Sequence, residues 1–410
     1  MDLSAFERSH EMDDLELLPT EARNAASERL DELSTEELLR LINTADHEVA
    51  DAVERELANI ARAVEAIVPR FEAGGRIFYI GAGTSGRLGI LDAAECSPTF
   101  GLAADRVQGL IAGGEAALRS SVERAEDDPK QGAADLAARG FGAGDVLVGI
   151  SASGRTPYVL GAVEYANTYA NPNANTDAST NANPGAGPAK TPSEASNTPA
   201  GLANTPTETA NTPAGPASKS AKPTNTSAEQ ANTSAAGTNT GDAEIRTGTE
   251  QTNTDAEMGH TLAARANTLG AVTVGVSCVG GSALARAVSI AITPVVGPEV
   301  LTGSTRMKAG TATKMVLNSL STAVMVRTGR VFGNLMVDVR PVNEKLEERA
   351  VRIVATVAGV GRERAAELLK QGGLVKCAIV MGRLGVDREE AEGRLGAARG
   401  RLREALRSGG

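Results

Sequence analysis

Serine and threonine side chains follow two short apolar segments of this chain. The first group lies in Gly81-Ala-Gly-Thr-Ser-Gly86 and the second in Ser151-Ala-Ser-Gly-Arg-Thr156. Hydroxyls and free backbone N–H groups at the start of a helix are suited to binding a phosphate monoester. The alternative, that both groups only cap the helices that follow, stays open. The predicted phosphate ligands are Thr84, Ser85, Ser151, Ser153 and Thr156.

The glycine spacing of the first loop, G-x-G-x-x-G, also occurs in dinucleotide-binding folds. Such a fold requires an acidic residue at the tip of the second strand, about twenty residues further on, to bind the ribose. Here that distance falls near Asp105, before the second predicted strand begins, and that strand ends in Ala112-Gly-Gly. No G-K-[ST] sequence follows the loop, so a nucleoside triphosphate is not indicated as the ligand. One phosphorylated small molecule therefore fits the two loops better than a dinucleotide.

Two glutamates, Glu95 and Glu126, are the candidates for acid–base chemistry. Proton transfer near the loops falls to carboxylates because histidine, the usual general base, is scarce. The chain has only three histidines, His10, His47 and His260. An isolated glutamate on a helix is also commonly a surface residue, and this alternative stays open. Cys96 has no histidine nearby, so we interpret it as a small buried residue and not as a nucleophile.

Alternating strands and helices are predicted to position these residues. Short runs rich in Val and Ile predict five strands, at 76–80, 107–111, 146–150, 272–276 and 290–296. Helical segments lie between them, including 88–94, 116–126 and 156–166. Continuous apolar strands that alternate with helices indicate a parallel sheet covered on both faces. The predicted fold class is therefore α/β, a five-stranded parallel sheet flanked by helices.

The predicted domain organisation has three parts. Residues 1–66 form an N-terminal helical segment, residues 67–340 contain the sheet and a long helix at 305–328, and residues 341–410 form a small helical bundle. In the last part, glycines predict the breaks between three short helices. A length of 410 residues is sufficient for two or three domains with a sizeable core.

A low-complexity segment interrupts the middle part. From 168 to 260 the chain consists mostly of Asn, Thr, Ala, Pro, Ser and Gly, and it contains nine of the seventeen prolines. Such a composition buries too little apolar surface to offset the entropy of ordering. The triplet Ala-Asn-Thr occurs at both ends, at 166–168 and 266–268. We predict a disordered insertion at 168–267 in one helix–strand connection. A tolerated surface insertion is favoured over a partner-binding segment.

The composition excludes several classes of protein. The net charge is −10, from 51 acidic and 41 basic residues, which disfavours nucleic-acid and anionic-membrane surfaces. The first eighteen residues have no apolar signal region, and no apolar run is long enough to span a bilayer. Three widely spaced cysteines exclude a disulfide framework and a cysteine zinc site. We therefore predict a cytoplasmic protein.

Five longer motifs carry a resemblance to a known family. They are IGAGTSGRLGILDAAECSPTFG (80–101), IAGGEAALRSSVERAEDDP (111–129), GISASGRTPYV (149–159), TGSTRMKAGTATKMVLNSLST (302–322) and GNLMVDV (333–339). Together they resemble the N-acetylmuramic acid 6-phosphate etherases, a family built on the sugar-isomerase (SIS) phosphosugar-binding domain. The resemblance covers nearly the whole chain apart from the predicted insertion, and it includes Thr20-Glu-Ala-Arg-Asn24. Ala94, Ser97 and Ser151 depart from the residues usual there, but they remove no carboxylate or loop hydroxyl.

The resemblance implies a carbon–oxygen lyase that needs neither a metal nor a redox cofactor. It would cleave the D-lactyl ether of N-acetylmuramic acid 6-phosphate by elimination and water addition, giving N-acetylglucosamine 6-phosphate and D-lactate. Glu95 matches the family's proton donor to the departing lactyl oxygen, and Glu126 matches its second acid–base residue. We expect Glu95 to be partly buried beside Leu91 and Pro98.

The resemblance also suggests further contacts and a partner. Arg306 and Lys308 are candidate ligands of the sugar, the phosphate or the lactate carboxylate. The alternative for these two, exposed cations at a helix start, stays open. Because SIS enzymes commonly place the site between subunits, we expect a homodimer with the site near its interface, and neither nucleic acid nor membrane as a partner.

Three other functions on the same domain compete with the etherase. A non-catalytic sugar-phosphate sensor has no need of the two carboxylates. An aldose–ketose isomerase would share the hydroxyl loops but gives no reason for the motif around Glu95. A DNA-binding regulator is disfavoured because the N-terminal helices are acidic. The etherase is the function that the motifs favour.

Overall fold

The predicted five-stranded parallel sheet is confirmed by the computed structural model, which describes residues 18–170, 268–340 and 343–407. The strands are β1 (Ile77–Gly81), β2 (Val107–Ile111), β3 (Val146–Ile150), β4 (Val272–Val276) and β5 (Ile290–Ile292). Their order is β2-β1-β3-β4-β5, and all neighbours are parallel. Ile77 of β1 lies opposite Val107 of β2 and Val146 of β3, which sets the register of the three strands.

Helices precede, flank and follow this sheet in the described residues. Two lie before it, α1 (Thr35–Glu54) and α2 (Leu57–Glu72). Those between and after the strands are α3 (Gly83–Phe100), α4 (Ala116–Arg119), α5 (Pro129–Ala138), α6 (Pro157–Asn167), α7 (Ala283–Ala287) and α8 (Lys308–Arg327). None of the described helices is both long and apolar enough to cross a bilayer.

Alternate residues of the central strand pack on opposite faces, as a strand requires. Ile77 and Tyr79 belong to a core that also contains side chains of α2, α3 and α8. Phe78 and Ile80 belong to a second core with side chains of α5 and α6. Both faces are therefore covered, which explains why the strands are continuously apolar.

The strand order opens a crevice between β1 and β3. From β1 the chain passes through α3 to β2 on one side, whereas β3 pairs with the other side of β1. Helix α3 packs with the first core and α6, which follows β3, packs with the second. Because the two helices lie on opposite faces, the turns that lead into them diverge at the carboxyl end of the sheet. Open parallel sheets bind ligands at such a point.

A buried carboxylate joins α3 to the sheet and to α8. Asp92 accepts hydrogen bonds from Tyr79 Oη at 2.9 Å, Asn318 Nδ2 at 2.7 Å and Ser321 Oγ at 3.2 Å. Burial raises the pKa of Asp92, while the three donors act in the opposite direction. Because losing the carboxylate would leave three polar groups unpaired, the network fixes α3 firmly between β1 and α8.

The C-terminal part has five helices where the sequence predicted three. They are α9 (Glu344–Ala358), α10 (Arg362–Gly372), α11 (Val375–Leu384), α12 (Arg388–Ala397) and α13 (Leu402–Ala405). Gly359, Gly373 and Gly385 each end a helix with a positive φ, and a fourth break lies between α12 and α13, where Arg399 and Gly400 also have positive φ. These helices share a separate hydrophobic core, which also includes Val337 and Val339. Between α8 and this core, β6 (Val331–Phe332) and β7 (Leu335–Met336) form a short antiparallel pair.

Two elements end earlier in the structure than the sequence predicted. The helix predicted at 116–126 is α4 followed, after a left-handed Arg124 with φ of 61°, by a 3-10 turn at Ala125–Asp127. The strand predicted at 290–296 ends at Ile292. Pro294 has no N–H group to donate to a sheet, and the Thr293 N–H donates to Glu56 Oε2 at 3.0 Å instead.

The predicted insertion at 168–267 lies outside the described residues except for its first three positions. Those three belong to the body of the protein. The Tyr169 ring lies 6.0 Å from the ring of Phe141 and 5.5 Å from that of Tyr165, centroid to centroid. The carbonyl oxygen of Tyr169 accepts a hydrogen bond from the Ala271 N–H at 2.9 Å. A connection from Tyr169 to Ala271 therefore needs to span only a short distance.

We expect replacement of residues 171–267 by a short Gly-Ser linker to leave the free energy of unfolding and turnover nearly unchanged. A longer deletion of 168–267 should lower that free energy by about 1–3 kcal/mol, because it also removes the packed Tyr169 ring. Urea unfolding of the two deletions beside the full chain measures the difference. A large loss of stability in the shorter deletion would show that the segment stabilises the body.

Candidate active site

A cleft of about 250 Å³ lies at the carboxyl end of the sheet, where the turns after β1 and β3 diverge. All five predicted phosphate ligands line it. The start of α8 and one residue from the N-terminal segment complete the walls. The full lining is Glu21, Ala82, Gly83, Thr84, Ser85, Glu126, Ser151, Ala152, Ser153, Thr156, Thr305, Ala309, Gly310 and Thr313.

The first wall is the start of α3. No side chain caps this helix, so its first backbone N–H groups are open at the cleft. An uncapped helix start attracts an anion through these groups and through the helix dipole. The turn is tight, since a Cβ at Gly81 would lie 2.7 Å from the backbone nitrogen of Gly86. The glycines therefore allow the strand and the helix to approach each other closely, and Thr84 and Ser85 lie in the same turn.

The second wall is the loop from β3 to α6, and its hydroxyls divide into two roles. Ser151 is buried, its Oγ lies 2.8 Å from Thr156 Oγ1, and it accepts a hydrogen bond from the Gly154 N–H at 3.0 Å. Ser151 thus shapes the loop. Ser153 is half-buried, and its Oγ makes only a long contact of 3.4 Å with the Arg155 N–H. Its hydroxyl is accordingly more available to a ligand.

The two predicted cationic contacts do not line the cleft. Lys308 is buried, and its Nζ donates to the Val296 carbonyl oxygen at 2.7 Å and lies 3.5 Å from Glu48 Oε2. It is therefore not an exposed cation at a helix start. Arg306 is exposed in the turn before α8, next to the lining residue Thr305. A substrate contact of either residue stays a prediction.

The start of α8 already has its own anion. Glu299 is buried, and its two carboxylate oxygens accept hydrogen bonds from the backbone N–H groups of Lys308 at 2.9 Å and Ala309 at 3.0 Å. These groups are consequently not open to a ligand, in contrast to those of α3. What α8 contributes to the cleft is small side chains and the hydroxyl of Thr313, and the turn before it adds the hydroxyl of Thr305.

Glu126 lies on the cleft, in the 3-10 turn that follows the left-handed Arg124. Its carboxylate has no hydrogen-bond partner among the described residues. A smaller pocket of about 190 Å³ adjoins the cleft and shares Ala82, Gly83 and Glu126 with it. Glu126 therefore lies at the boundary of two adjoining spaces, and its carboxylate is open to a ligand in either.

Glu95 lies on the same helix as Thr84 but outside the cleft. An α-helix rises about 1.5 Å and turns about 100° per residue, so the two Cα atoms are about 16 Å apart on the same face. The expected partial burial of Glu95 is wrong for the single chain, because Glu95 and Pro98 are exposed and Leu91 is 53% exposed. The hydroxyl wall and Glu95 are thus joined by one continuous helix face.

The burial predicted for Cys96 is confirmed. Its side chain is 2% exposed, and burial, with a smaller contribution from Asp92, raises the pKa of its thiol to about 12. Such a thiol stays protonated near neutral pH and is a poor nucleophile. In the part of the chain that the structure describes, no three His, Cys, Asp or Glu residues are grouped so as to hold a metal ion.

Sequence reasoning missed three polar residues of the lining. Thr305 and Thr313 lie within the 302–322 motif, but nothing local distinguishes them from neighbouring hydroxyls. Glu21 belongs to the Thr20–Asn24 motif, which carried the family resemblance without a role being assigned to any of its side chains. The single carboxylate in that motif was the available signal.

Comparisons with known proteins identify a SIS domain in this chain and relatives that match nearly its whole length. Residues 59–167 match the family described as Glucokinase regulatory protein N-terminal SIS domain. A protein of Pasteurella multocida (strain Pm70) named N-acetylmuramic acid 6-phosphate etherase is 40% identical over 390 residues, which cover 95% of this chain and 96% of that protein. Proteins of the same name are 39% identical in Clostridium botulinum (strain Okra / Type B1) and 40% identical in Aliivibrio fischeri (strain MJ11). Both alignments cover 96% of this chain, and they cover 97% and 98% of those proteins.

We expect Ser153→Ala and Ser151→Ala to separate ligand binding from loop stability. Ser153→Ala should weaken binding of inorganic phosphate about tenfold, as loss of a hydrogen bond to a charged group does, with little change in the free energy of unfolding. Ser151→Ala should lower both the affinity for phosphate and the free energy of unfolding, because the Ser151 hydroxyl also forms hydrogen bonds with Thr156 and Gly154. Calorimetric titration and urea unfolding measure the two quantities. Equal stability losses in the two variants would contradict this division of roles.

Proposed function

This chain belongs to the N-acetylmuramic acid 6-phosphate etherase family, and we propose that its cleft binds the phosphosugar while Glu126 and Glu95 transfer the protons of ether cleavage. The activity is that of a carbon–oxygen lyase, which releases D-lactate from N-acetylmuramic acid 6-phosphate and leaves N-acetylglucosamine 6-phosphate. The observation that carries this function is the similarity to three etherases over at least 95% of the chain.

The 6-phosphate is proposed to lie against the start of α3 and the β3–α6 loop. Uncapped backbone N–H groups and the hydroxyls of Thr84, Ser85 and Ser153 offer donors to its oxygens. None of the described residues that line the cleft is a lysine or an arginine. Hydrogen bonds and the dipole of α3 would therefore supply the attraction for the phosphate. Arg306, exposed at the edge of the cleft, stays a candidate for the lactate carboxylate.

The proposed chemistry begins with elimination. In the open-chain sugar, the C1 aldehyde acidifies the C2 proton, and the lactyl oxygen at C3 is a β-leaving group. One carboxylate removes the C2 proton, the C3–O bond breaks, and a carboxylic acid protonates the departing lactyl oxygen. The products of this step are D-lactate and an α,β-unsaturated aldehyde.

Addition of water completes the reaction. A carboxylate takes a proton from water as its oxygen bonds to C3, and C2 regains a proton, which gives N-acetylglucosamine 6-phosphate. We assign the protonation of the lactyl oxygen to Glu95 and the second acid–base role to Glu126. The open carboxylate of Glu126 at the cleft supports its role.

A homodimer with the site near its interface is part of this proposal. Glu95 is exposed about 16 Å along α3 from Thr84, and the exposed Leu91 lies between them on the same face. An exposed leucine beside a carboxylate with a proposed catalytic role supports covering of this face by a second copy. In such a dimer, Glu95 of one subunit would complete the cleft of the other.

We also propose a cytoplasmic role in amino-sugar catabolism and cell-wall recycling. The three cysteines are unpaired and buried, which is consistent with a reducing compartment. The match of residues 59–167 to a regulatory-protein SIS domain would favour a non-catalytic phosphosugar sensor if it stood alone. The etherase similarity covers nearly the whole chain, however, and it supports the lyase over the sensor.

We expect the wild type to release D-lactate from N-acetylmuramic acid 6-phosphate and Glu126→Gln to lose about a hundredfold or more in kcat, since glutamine cannot exchange the proton. Glu95→Gln should lose a similar factor. A coupled D-lactate assay measures the rate, and Glu164→Gln, an exposed glutamate that lines neither the cleft nor the adjoining pocket, serves as the control. Binding of the phosphosugar without lactate release by the wild type would favour the sensor.

We expect a mixed dimer of Glu95→Gln and Glu126→Gln subunits, isolated through two different tags, to recover about half of the wild-type rate. In a two-fold symmetric dimer one site would receive both wild-type glutamates and the other neither. Each parent variant alone should stay inactive. A mixed dimer as inactive as its parents would show that both glutamates act within one subunit.

A further inference from the structure

The N-terminal segment reaches the cleft from a distant part of the chain. A turn at 18–22 is closed by hydrogen bonds from the N–H groups of Glu21 and Ala22 to the Leu18 carbonyl oxygen, at 2.9 Å and 3.0 Å. Thr20 is buried, whereas Glu21 is half-buried and lines the cleft. The turn therefore directs one carboxylate into the space that the sheet loops enclose.

The Glu21 carboxylate lies close to the turn before α8. Gly303 has a positive φ of 74°, and a Cβ at this residue would lie 3.1 Å from Glu21 Oε2. The glycine thus leaves room for the carboxylate. Among the described residues, that carboxylate has no hydrogen-bond or ion-pair partner. A half-buried carboxylate without a partner in a ligand cleft has its acceptor oxygens available for a ligand.

The charges of the cleft decide which part of a ligand Glu21 can contact. The lining has seven hydroxyl side chains and two carboxylates, Glu21 and Glu126. A carboxylate next to a phosphate would repel it, and among the described residues of the lining no cation offsets that repulsion. Glu21 can therefore contribute to binding only through neutral donors, which on an N-acetylated sugar phosphate are the hydroxyl groups and the amide N–H.

We propose that Glu21 is a further substrate-binding residue, whose carboxylate accepts hydrogen bonds from hydroxyl or amide N–H groups of the sugar while the hydroxyl loops hold its phosphate. This inference rests on the proposed phosphosugar function. It gives the N-terminal turn a direct part in recognising the sugar, and it separates recognition of the sugar from recognition of the phosphate within one cleft.

The test compares two ligands in calorimetric titrations of the full chain. N-acetylglucosamine 6-phosphate carries both the sugar and the phosphate, and inorganic phosphate carries only the latter. Glu21→Ala should bind the phosphosugar about ten- to hundredfold more weakly, the effect of losing hydrogen bonds to a charged acceptor. It should bind inorganic phosphate equally well or more tightly, because a nearby negative charge is removed. Glu28→Ala, an exposed glutamate of the same segment, should bind both ligands as the wild type does.

A second variant keeps the inference testable if Glu21→Ala is unstable. Glu21→Gln retains one acceptor oxygen and the size of the side chain, so its loss of phosphosugar affinity should be smaller than that of the alanine variant but still selective for the sugar. The inference would be overturned if both Glu21→Gln and Glu21→Ala bound the phosphosugar as tightly as the wild type does. Equal losses for both ligands would overturn it too, because they would indicate a role in shaping the cleft.

The proposed function and this inference can fail separately. D-lactate release by the wild type tests the etherase, whereas the titrations need no turnover. If the wild type releases lactate and Glu21→Ala retains its phosphosugar affinity, only the inference fails. A loss of kcat of about a thousandfold in Glu21→Ala with unchanged affinity would move Glu21 from binding to proton transfer and would also overturn it.

Discussion

The position of β1 between β2 and β3 is the constraint on which the site depends. Because the chain leaves β1 for one neighbour and meets the other only later, the helices that follow β1 and β3 pack on opposite faces. Their first turns must then separate at the carboxyl end of the sheet. The hydroxyls of both loops and the open start of α3 face the resulting cleft, so a change of strand order would remove the site without altering a single loop residue.

Hydrogen-bond partners distinguish the carboxylates that stabilise the fold from those that face the cleft. Asp92 has three donors, and Glu299 takes two N–H groups at the start of α8. These pairs satisfy groups that would be costly to bury alone. Glu21 and Glu126, in contrast, have no partners among the described residues and lie on the cleft. A carboxylate thus stabilises the fold where it has hydrogen-bond partners, and it is available to a ligand where it has none.

Helix α3 connects the hydroxyl-lined wall of the cleft to the residues of the proposed chemistry. Its buried side is fixed by Asp92, its start faces the cleft, and its exposed side carries Leu91 and Glu95. A rigid helix held in this way keeps a constant distance between the loop hydroxyls and Glu95. In the proposed dimer, this rigidity would fix where each subunit presents Glu95 to the cleft of the other, and preorganisation of this kind allows acid–base groups to act without a reordering of the backbone.

The sequence by itself determined the sheet and the two hydroxyl loops. Runs of Val and Ile located β2, β3 and β4 at their observed bounds, because a strand buried on both faces is apolar at every position. The tertiary structure alone decided that Lys308 is buried against Val296, that Glu95 lies outside the cleft of its own chain, and that Glu21 lines it. The burial of Lys308 and the position of Glu21 depend on contacts between segments distant along the chain, since Lys308 Nζ lies 3.5 Å from Glu48 Oε2 and Glu21 lies beside the turn at Gly303. Local spacing specifies which face of an element a side chain occupies, but it carries no information about which remote segment packs against that face.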